Sequence, residues 1–369
     1  MNLPKVSIVI PLYNHEKYIS HTLHSLYNQT YNNLELILLD DGSKDRSFEV
    51  AQNVLEEIGG KFTNVICLKK ENEGICKTLN KGLELMTGDY LFICASDDYY
   101  FEDFVEKQVS YLESNPNLSC SYTDGYNLTD AQIDNNELDE SKQFSKMFKF
   151  QSGDLKEFML KNYLLLPTPS FMYKKELFEK IGNYDDTLLF EDVDMFLRIS
   201  RQHLIGCINE PLFIRRIHET NSGRNLAIIL PGLEQILQKV KDSKDYNEED
   251  QAKLIKNLSA HIDFYEKKLQ KQQFMKNNLV SLINKNRKIV IWGTGSYAAD
   301  LINNESIKMV DFFVESVPTK QFFMGRKVVS PEIFEDNQNQ YFIIIASHQQ
   351  ECIEEILNKY RLNNNIDFV

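Results

Sequence analysis

The sequence lacks any spacing that would turn its cysteines into a site. Cys67, Cys76, Cys94, Cys120, Cys207 and Cys352 are scattered over 369 residues, and none belongs to a Cys-x-x-Cys pair. Neither a zinc centre nor a disulfide framework is indicated, and the six read as small buried hydrophobes of a reducing compartment. A basic excess is missing too. Lys and Arg number 41 against 54 Asp and Glu, a formal net charge of −13, which argues against a nucleic-acid binder. No stretch approaches the ~18 apolar residues that a membrane-crossing helix needs. The first apolar run, Val6–Leu12, is short, contains Pro11 and has one lysine before it, so it is not read as a secretory leader. The expectation is a cytoplasmic enzyme. There is no internal repeat, and neither Gly nor Pro occurs from 233 to 287.

What is present begins with enough apolar residue, 42% of the chain, to build a sizeable core. Continuous β-branched runs at Val6–Ile10, Leu34–Leu39, Val65–Leu68 and Tyr90–Ala95 read as buried strands. Helical periodicity fills the gaps at 16–29, 45–58 and 75–86. This alternation predicts a doubly wound α/β sheet. Ligands on such sheets sit beyond the carboxyl ends of the strands. Polar residues stand at each of those ends: Tyr13-Asn14, Asp40-Asp41, Glu71-Asn72 and Asp97-Asp98. Residues 126–150 read as a polar excursion, 151–225 as mixed structure, and 226–288 as helices.

Adjacent carboxylates at Asp97 and Asp98 suit a hard divalent cation bridging substrate phosphates, although Asp-Asp before a helix also makes a cap. A carboxylate in Asp40-Asp41-Gly42-Ser43 is placed to meet a base edge or ribose, with Ser43 and Asp45 capping the helix that follows. Tyr13 offers a flat face to a nucleobase, or ordinary packing. A second acidic pair, Glu191-Asp192, suits the general base that a sugar transfer with inversion requires. Asp192 is the preferred base and Glu191 the alternative; acids at a helix start are the plainer reading. In Arg215-Arg216-Ile217-His218, cations are placed to meet diphosphate oxygens and a neutral imidazole to ligate a metal.

With these residues in hand, the chain resembles the family 2 glycosyltransferases of the type A fold. The resemblance is carried by Val6-Ser7-Ile8-Val9-Ile10-Pro11-Leu12-Tyr13-Asn14, Gln29-Thr30-Tyr31, Glu35-Leu36-Ile37, Asp40-Asp41-Gly42-Ser43, Asn72-Glu73-Gly74, Asn80-Lys81-Gly82, Gly88-Asp89-Tyr90 and Asp97-Asp98. Glu191-Asp192 and the Arg216, His218, Ser222 pattern complete the ordered set, which spans about 220 residues. The resemblance implies inverting transfer from a UDP- or similar nucleotide-sugar, with Mn2+ or Mg2+ as cofactor. It places Pro11, Tyr13, Asp41, Asp97 and Arg216 at the donor, Asp98 and His218 at the metal, and Asp192 as base. One departure stands out: where the family often carries a further acid, this chain has Ser96.

Two distal segments remain. Residues 267–288 hold Lys267, Lys268, Lys271, Lys276, Lys285, Arg287 and Lys288 without an acid. They read as a solvated helical linker, or as a basic amphipathic face suited to peripheral contact with anionic lipid at the inner side of a membrane. Gly293-Thr294-Gly295 follows a strand at 288–292, and Glu315 lies 20 residues beyond Gly295. This fits a dinucleotide fingerprint, although the segment has only half the length of a full dinucleotide fold. The expected organisation is therefore a glycosyltransferase domain at 1–225, a helical linker at 226–287 and a small Rossmann-like accessory module at 288–369. The expected activity is hexosyl or N-acetylhexosaminyl transfer to a cell-surface glycan or lipid-linked precursor. The rival reading is a nucleotide-binding regulatory or scaffold protein with an inactive transferase-like domain; the intact carboxylates at both expected places argue against it. A sugar nucleotidyltransferase would need a Gly-rich loop with a basic residue after the first strand, and Pro11-Leu12-Tyr13-Asn14 is not one.

Overall fold

The alternation read in the first hundred residues appears strand for strand in a computed structural model. It describes residues 3–135, 137–147, 149–163, 166–218, 221, 225–283, 288–293, 310–316, 318, 321–334 and 341–345. The chain divides into two compact units, Met1–Ala260 and His261–Val369.

In the first unit, β1 (Val6–Leu12), α1 (Ile19–Tyr27), β2 (Leu34–Asp41), α2 (Ser47–Ile58), β3 (Asn64–Lys70), α3 (Ile75–Leu85) and β4 (Tyr90–Ile93) alternate as expected. There follow β5 (Tyr99–Tyr100), α4 (Phe104–Ser114), β6 (Leu118–Thr129), α5 (Asp130–Asp134), α6 (Lys156–Asn162), β7 (Met172–Lys174), α7 (Lys175–Ile181), α8 (Glu191–Gln202) and β8 (Leu204–Ile217). They build one eight-stranded sheet in the order β3-β2-β1-β4-β7-β6-β8-β5. The strands β3, β2, β1 and β4 run parallel. Antiparallel pairing of β7 with β4 and with β6 then ends the doubly wound pattern. The sheet is mixed, not uniformly parallel.

Burial follows the runs that predicted it. Every residue of β2 is buried, and Val6, Ile8, Ile10 and Leu12 of β1 join Leu34, Leu36 and Leu38 in the main core. Helix α3 packs closely because Gly82 stands against Val9: a Cβ there would lie 2.5 Å from Val9 Cγ1. One buried acid is structural. Glu35 accepts from Ser7 Oγ at 2.5 Å, Thr87 N at 2.5 Å and Gly88 N at 3.2 Å, so its charge is satisfied without a cation.

The polar excursion begins at 130 rather than 126. Tyr126 and Leu128 are buried against Ile214, which keeps β6 in register with β8 as far as Thr129. The helical stretch comprises α9 (Leu226–Asp242), which contains Pro231, and α10 (Glu248–Ile283).

In the second unit, β9 (Lys288–Trp292) pairs in parallel with β10 (Phe312–Val314) and β13 (Tyr341–Ile345). On the far side of β10, β12 (Arg326–Val329) is parallel and β11 (Phe322–Phe323) antiparallel. Val290, Trp292, Val314, Phe334 and Ile343 fill its core. Gly293 lies at the end of β9 with φ 118°, its N–H donating to Val314 O at 2.9 Å, and Glu315 follows β10. Gly295 lies outside the described residues, as do Ser222 and the side chains from 271 to 283 other than Gln273. Of the basic stretch, Lys268 is buried and Lys267 pairs with Asp263 at 3.0 Å. No helix among the described residues is long and apolar enough to cross a membrane.

Candidate active site

The strand ends converge through side chains that tie neighbouring loops together. At the end of β1, Pro11 and Leu12 pair with β2, while the Tyr13 ring just beyond is 42% exposed. Asn14 then takes a left-handed conformation, φ 53°, which Asn tolerates better than most residues. The loop after β2 holds this turn: Asn14 N donates to Ser43 Oγ at 2.9 Å and His15 N to Ser47 Oγ at 2.7 Å. Asn14 Oδ1 accepts from Lys44 N at 2.8 Å. Ser43 therefore bridges two loops instead of capping α2; it is Asp45 that accepts from Ser47 N, at 2.9 Å.

Asp41 has its oxygens engaged by the next loop. Oδ1 accepts from Glu73 N and Oδ2 from Gly74 N, both at 2.9 Å, and Lys70 pairs with Oδ1. Burial opposes its charge, but these donors hold the carboxyl below its ordinary range. Gly42 is required here: its φ is +77°, and a Cβ would meet Asn72 N at 2.8 Å.

After β4 the two aspartates part company. Asp97 Oδ2 lies 2.9 Å from His218 Nε2, 3.3 Å from Asn221 Nδ2 and 4.0 Å from His15 Nε2. Potential ligand atoms of His15, Asp97 and His218 all lie within 4.8 Å of one another. Burial opposes the Asp97 charge, yet the hydrogen bond from His218 and the two imidazoles hold its carboxyl low. Burial also lowers His15, favouring the neutral imidazole that can ligate. Asp98 was expected as a metal ligand, but it is not part of this cluster. Its Oδ1 accepts the backbone N–H of Arg216 at 2.9 Å, and burial together with the Asp97 charge drives its carboxyl well above the usual range.

Arg216, expected at the donor diphosphate, is only 4% exposed and is spent within the fold. Its Nε donates to Asp97 O at 3.0 Å, its guanidinium pairs with Asp130, and it lies 5.2 Å from the Tyr18 ring centre. Its neighbour Arg215 is half-buried, and its guanidinium has no hydrogen-bond or ion-pair partner among the described residues. The Arg215 charge nevertheless acts on both Asp98 and Asp192.

The second acidic pair stands at the head of α8, where the helix dipole favours negative charge. Asp192 Oδ2 accepts from Thr168 Oγ1 at 2.9 Å and Oδ1 from Val193 N at 2.7 Å. Burial raises both acids. For Glu191, burial and the Asp192 charge push the carboxyl up to about 8, while Thr168, backbone N–H groups and Arg215 relieve Asp192. Glu191 is therefore the harder of the two to ionise, and Asp192 is the better anion. The sequence did not single out Thr168 or His15. The position of His15, in the loop just past the end of the first strand, was the one available signal.

A mixed sheet with a parallel half, an Asp-His cluster after β4 and an acidic pair opening α8 define a glycosyltransferase of the type A fold. The chain belongs to glycosyl transferase family 2, whose family model matches residues 7–182. An uncharacterized glycosyltransferase of Rickettsia typhi is 32% identical over 234 residues, covering 60% of this chain and 68% of that protein. Another, from Methanocaldococcus jannaschii, is 28% identical over 254 residues, covering 67% and 78%. Among solved structures, Staphylococcus aureus TarS 1–349 in complex with UDP-GlcNAc matches at a TM-score of 0.53 and 17% identity, covering 83% of this chain and 84% of that one. The mannosyltransferase PcManGT from Pyrobaculum calidifontis, in complex with GDP-Man and Mn2+, matches at 0.50 and 17%, covering 81% and 79%.

Proposed function

We propose that this chain transfers a hexosyl or N-acetylhexosaminyl group, with inversion, from a nucleotide-sugar to a hydroxyl of a cell-surface glycan or lipid-linked precursor. The observation that carries this reading is that the same unit holds an imidazole–carboxylate cluster after β4 and an acidic pair at the head of α8. The first has imidazole and carboxylate donors suited to a divalent cation, and the second has a half-buried anion suited to a base. The TarS structure holds UDP-GlcNAc and the PcManGT structure GDP-Man with Mn2+, which supports a nucleotide-sugar as donor and Mn2+ or Mg2+ as cofactor.

In this reading Asp97, His218 and His15 hold the cation. Bound there, it neutralises charge gathering on the leaving diphosphate. Tyr13 and Pro11 line the base end, and Asp41 shapes that wall by fixing the backbone of Glu73 and Gly74. Arg215 meets the diphosphate, while Arg216 braces the backbone beneath it. Asp192 takes the proton of the acceptor hydroxyl, held in aim by Thr168 and the Val193 N–H. Glu191, the harder to ionise, leaves the charge of the pair to Asp192. Residues 1–225 carry the transferase, 226–287 link it, and 288–369 form a Rossmann-like accessory module in which Gly293, Gly295 and Glu315 would meet a nucleotide. Residues 267–288 are the segment for any peripheral contact with lipid.

The test is nucleotide release from a panel of UDP-, GDP- and dTDP-sugars with and without Mn2+, alongside binding of each nucleotide. Release or tight binding of one nucleotide class, dependent on metal, supports the reading. A folded protein that neither binds nor turns over any of them refutes it.

A further inference from the structure

An imidazole that the sequence did not single out arrives beside the loop after β4. Ser96 in that loop has its hydroxyl 2.8 Å from His15 Nδ1. That contact leaves His15 Nε2 toward Asp97 Oδ2, 4.0 Å away. Metal-bound imidazoles are commonly fixed in this way, by a hydrogen bond at the nitrogen that does not ligate.

The dyad is held from three sides. The left-handed turn at Asn14 and the His15 N–H bond to Ser47 Oγ set the backbone. Thr22 Oγ1 donates toward Ser96 O at 3.2 Å and Asp98 O at 2.7 Å, fixing the loop that carries the serine. Tyr18 stacks on His218, with ring centres 4.5 Å apart, and meets His15 edge-on at 5.8 Å. Both imidazoles thus bear on one aromatic ring with Asp97 between them.

Bonds of about 2.0–2.2 Å to nitrogen and oxygen put neighbouring ligand atoms ~3 Å apart and opposite ones ~4 Å apart. The 2.9 Å and 4.0 Å separations from Asp97 Oδ2 match those two spacings. We infer that the Ser96–His15 dyad supplies a third ligand, an imidazole nitrogen, beside Asp97 and His218. The site then favours a transition-metal cation that accepts nitrogen, such as Mn2+ or Co2+, over Mg2+. Two imidazoles and one carboxylate make a donor set that Mg2+, which prefers an all-oxygen shell with water, satisfies poorly. This rests on the reading of the cluster as a metal site.

The experiment uses the full chain and the metal alone, without donor. Free Mn2+ is titrated by electron paramagnetic resonance, with Mg2+ as competitor, for wild type, His15→Gln, Ser96→Ala and Asp97→Ala. Loss of a ligand or its outer partner typically costs about 10–100-fold in affinity. His15→Gln should therefore lose at least about tenfold for Mn2+, Ser96→Ala a smaller factor, and the Mn2+ preference over Mg2+ should shrink in both. Electron spin echo modulation of Mn2+ bound to wild type should report two imidazole nitrogens, a readout that needs no variant to fold. If Asp97→Ala abolishes Mn2+ binding while His15→Gln leaves it unchanged, or if one imidazole is seen, the dyad is not a ligand although the metal reading stands. If wild type binds no Mn2+, the metal reading fails and the inference fails with it.

Discussion

The substitution Glu191→Gln should stabilise the protein at alkaline pH and not at acidic pH. The carboxyl is pushed up from 4.5 to about 8 by burial and by Asp192. Between those values the unfolded chain has released the proton and the folded chain has not. Stability therefore falls as pH rises through this window, at about 1.4 kcal/mol per pH unit. The full gap sets a ceiling of about 5 kcal/mol. Glu191 keeps some contact with solvent, so roughly 2–3 kcal/mol is the working figure. A glutamine side chain at this position mimics the protonated acid and has no proton to lose. Urea unfolding of both proteins at about pH 5 and about pH 8 reads the difference directly. The variant should match wild type at the lower pH and exceed it by a few kcal/mol at the higher. A stability difference that stays constant between those pH values would show that Glu191 ionises normally, and the argument that leaves Asp192 as the anion would collapse.

Other consequences follow from the same contacts. Asp192→Asn should bind donor normally and lose about 10²–10⁴-fold in kcat, measured by product formation with acceptor; equal loss in donor affinity would reassign the residue. Thr168→Val should lower kcat while Thr168→Ser retains it, because only the hydroxyl aims Asp192. Arg216→Ala should cost about 1–3 kcal/mol in denaturant unfolding, since Asp97 O and Asp130 both draw on its buried guanidinium. Arg215→Ala should instead leave stability within about 0.5 kcal/mol and weaken donor binding, read by titration calorimetry. Gly82→Ala should destabilise by about 1–3 kcal/mol, because its methyl would overlap Val9.

The parallel half of the sheet was legible because its strands are unbroken apolar runs and its turns carry Asn, Asp and Gly at the ends. The order of the other half was not. Strands β6 and β8 pair in parallel although they are far apart in the chain, and no local pattern encodes that partner. Period-two alternation put Arg216 and His218 on one face and Arg215 on the other, but only β6 and the loop after β4 decide which face is buried. The resemblance placed Arg216 at the donor, whereas its guanidinium braces the backbone. The acidic pair after β4 was visible as a pair, while its division into one member facing imidazoles and another facing a backbone N–H depends on tertiary contacts. A lone histidine after a strand carries little signal, and His15 gains meaning only when Ser96 and Asp97 come beside it.

The most direct test of the whole assignment is calorimetric titration of the folded wild-type chain with UDP-, GDP- and dTDP-sugars, with and without Mn2+. Binding of one nucleotide class should strengthen at least about tenfold when Mn2+ is present, and Asp97→Ala should abolish that gain. Equal binding with and without metal would remove the cation from the site, and no binding of any nucleotide-sugar would contradict the transferase assignment itself.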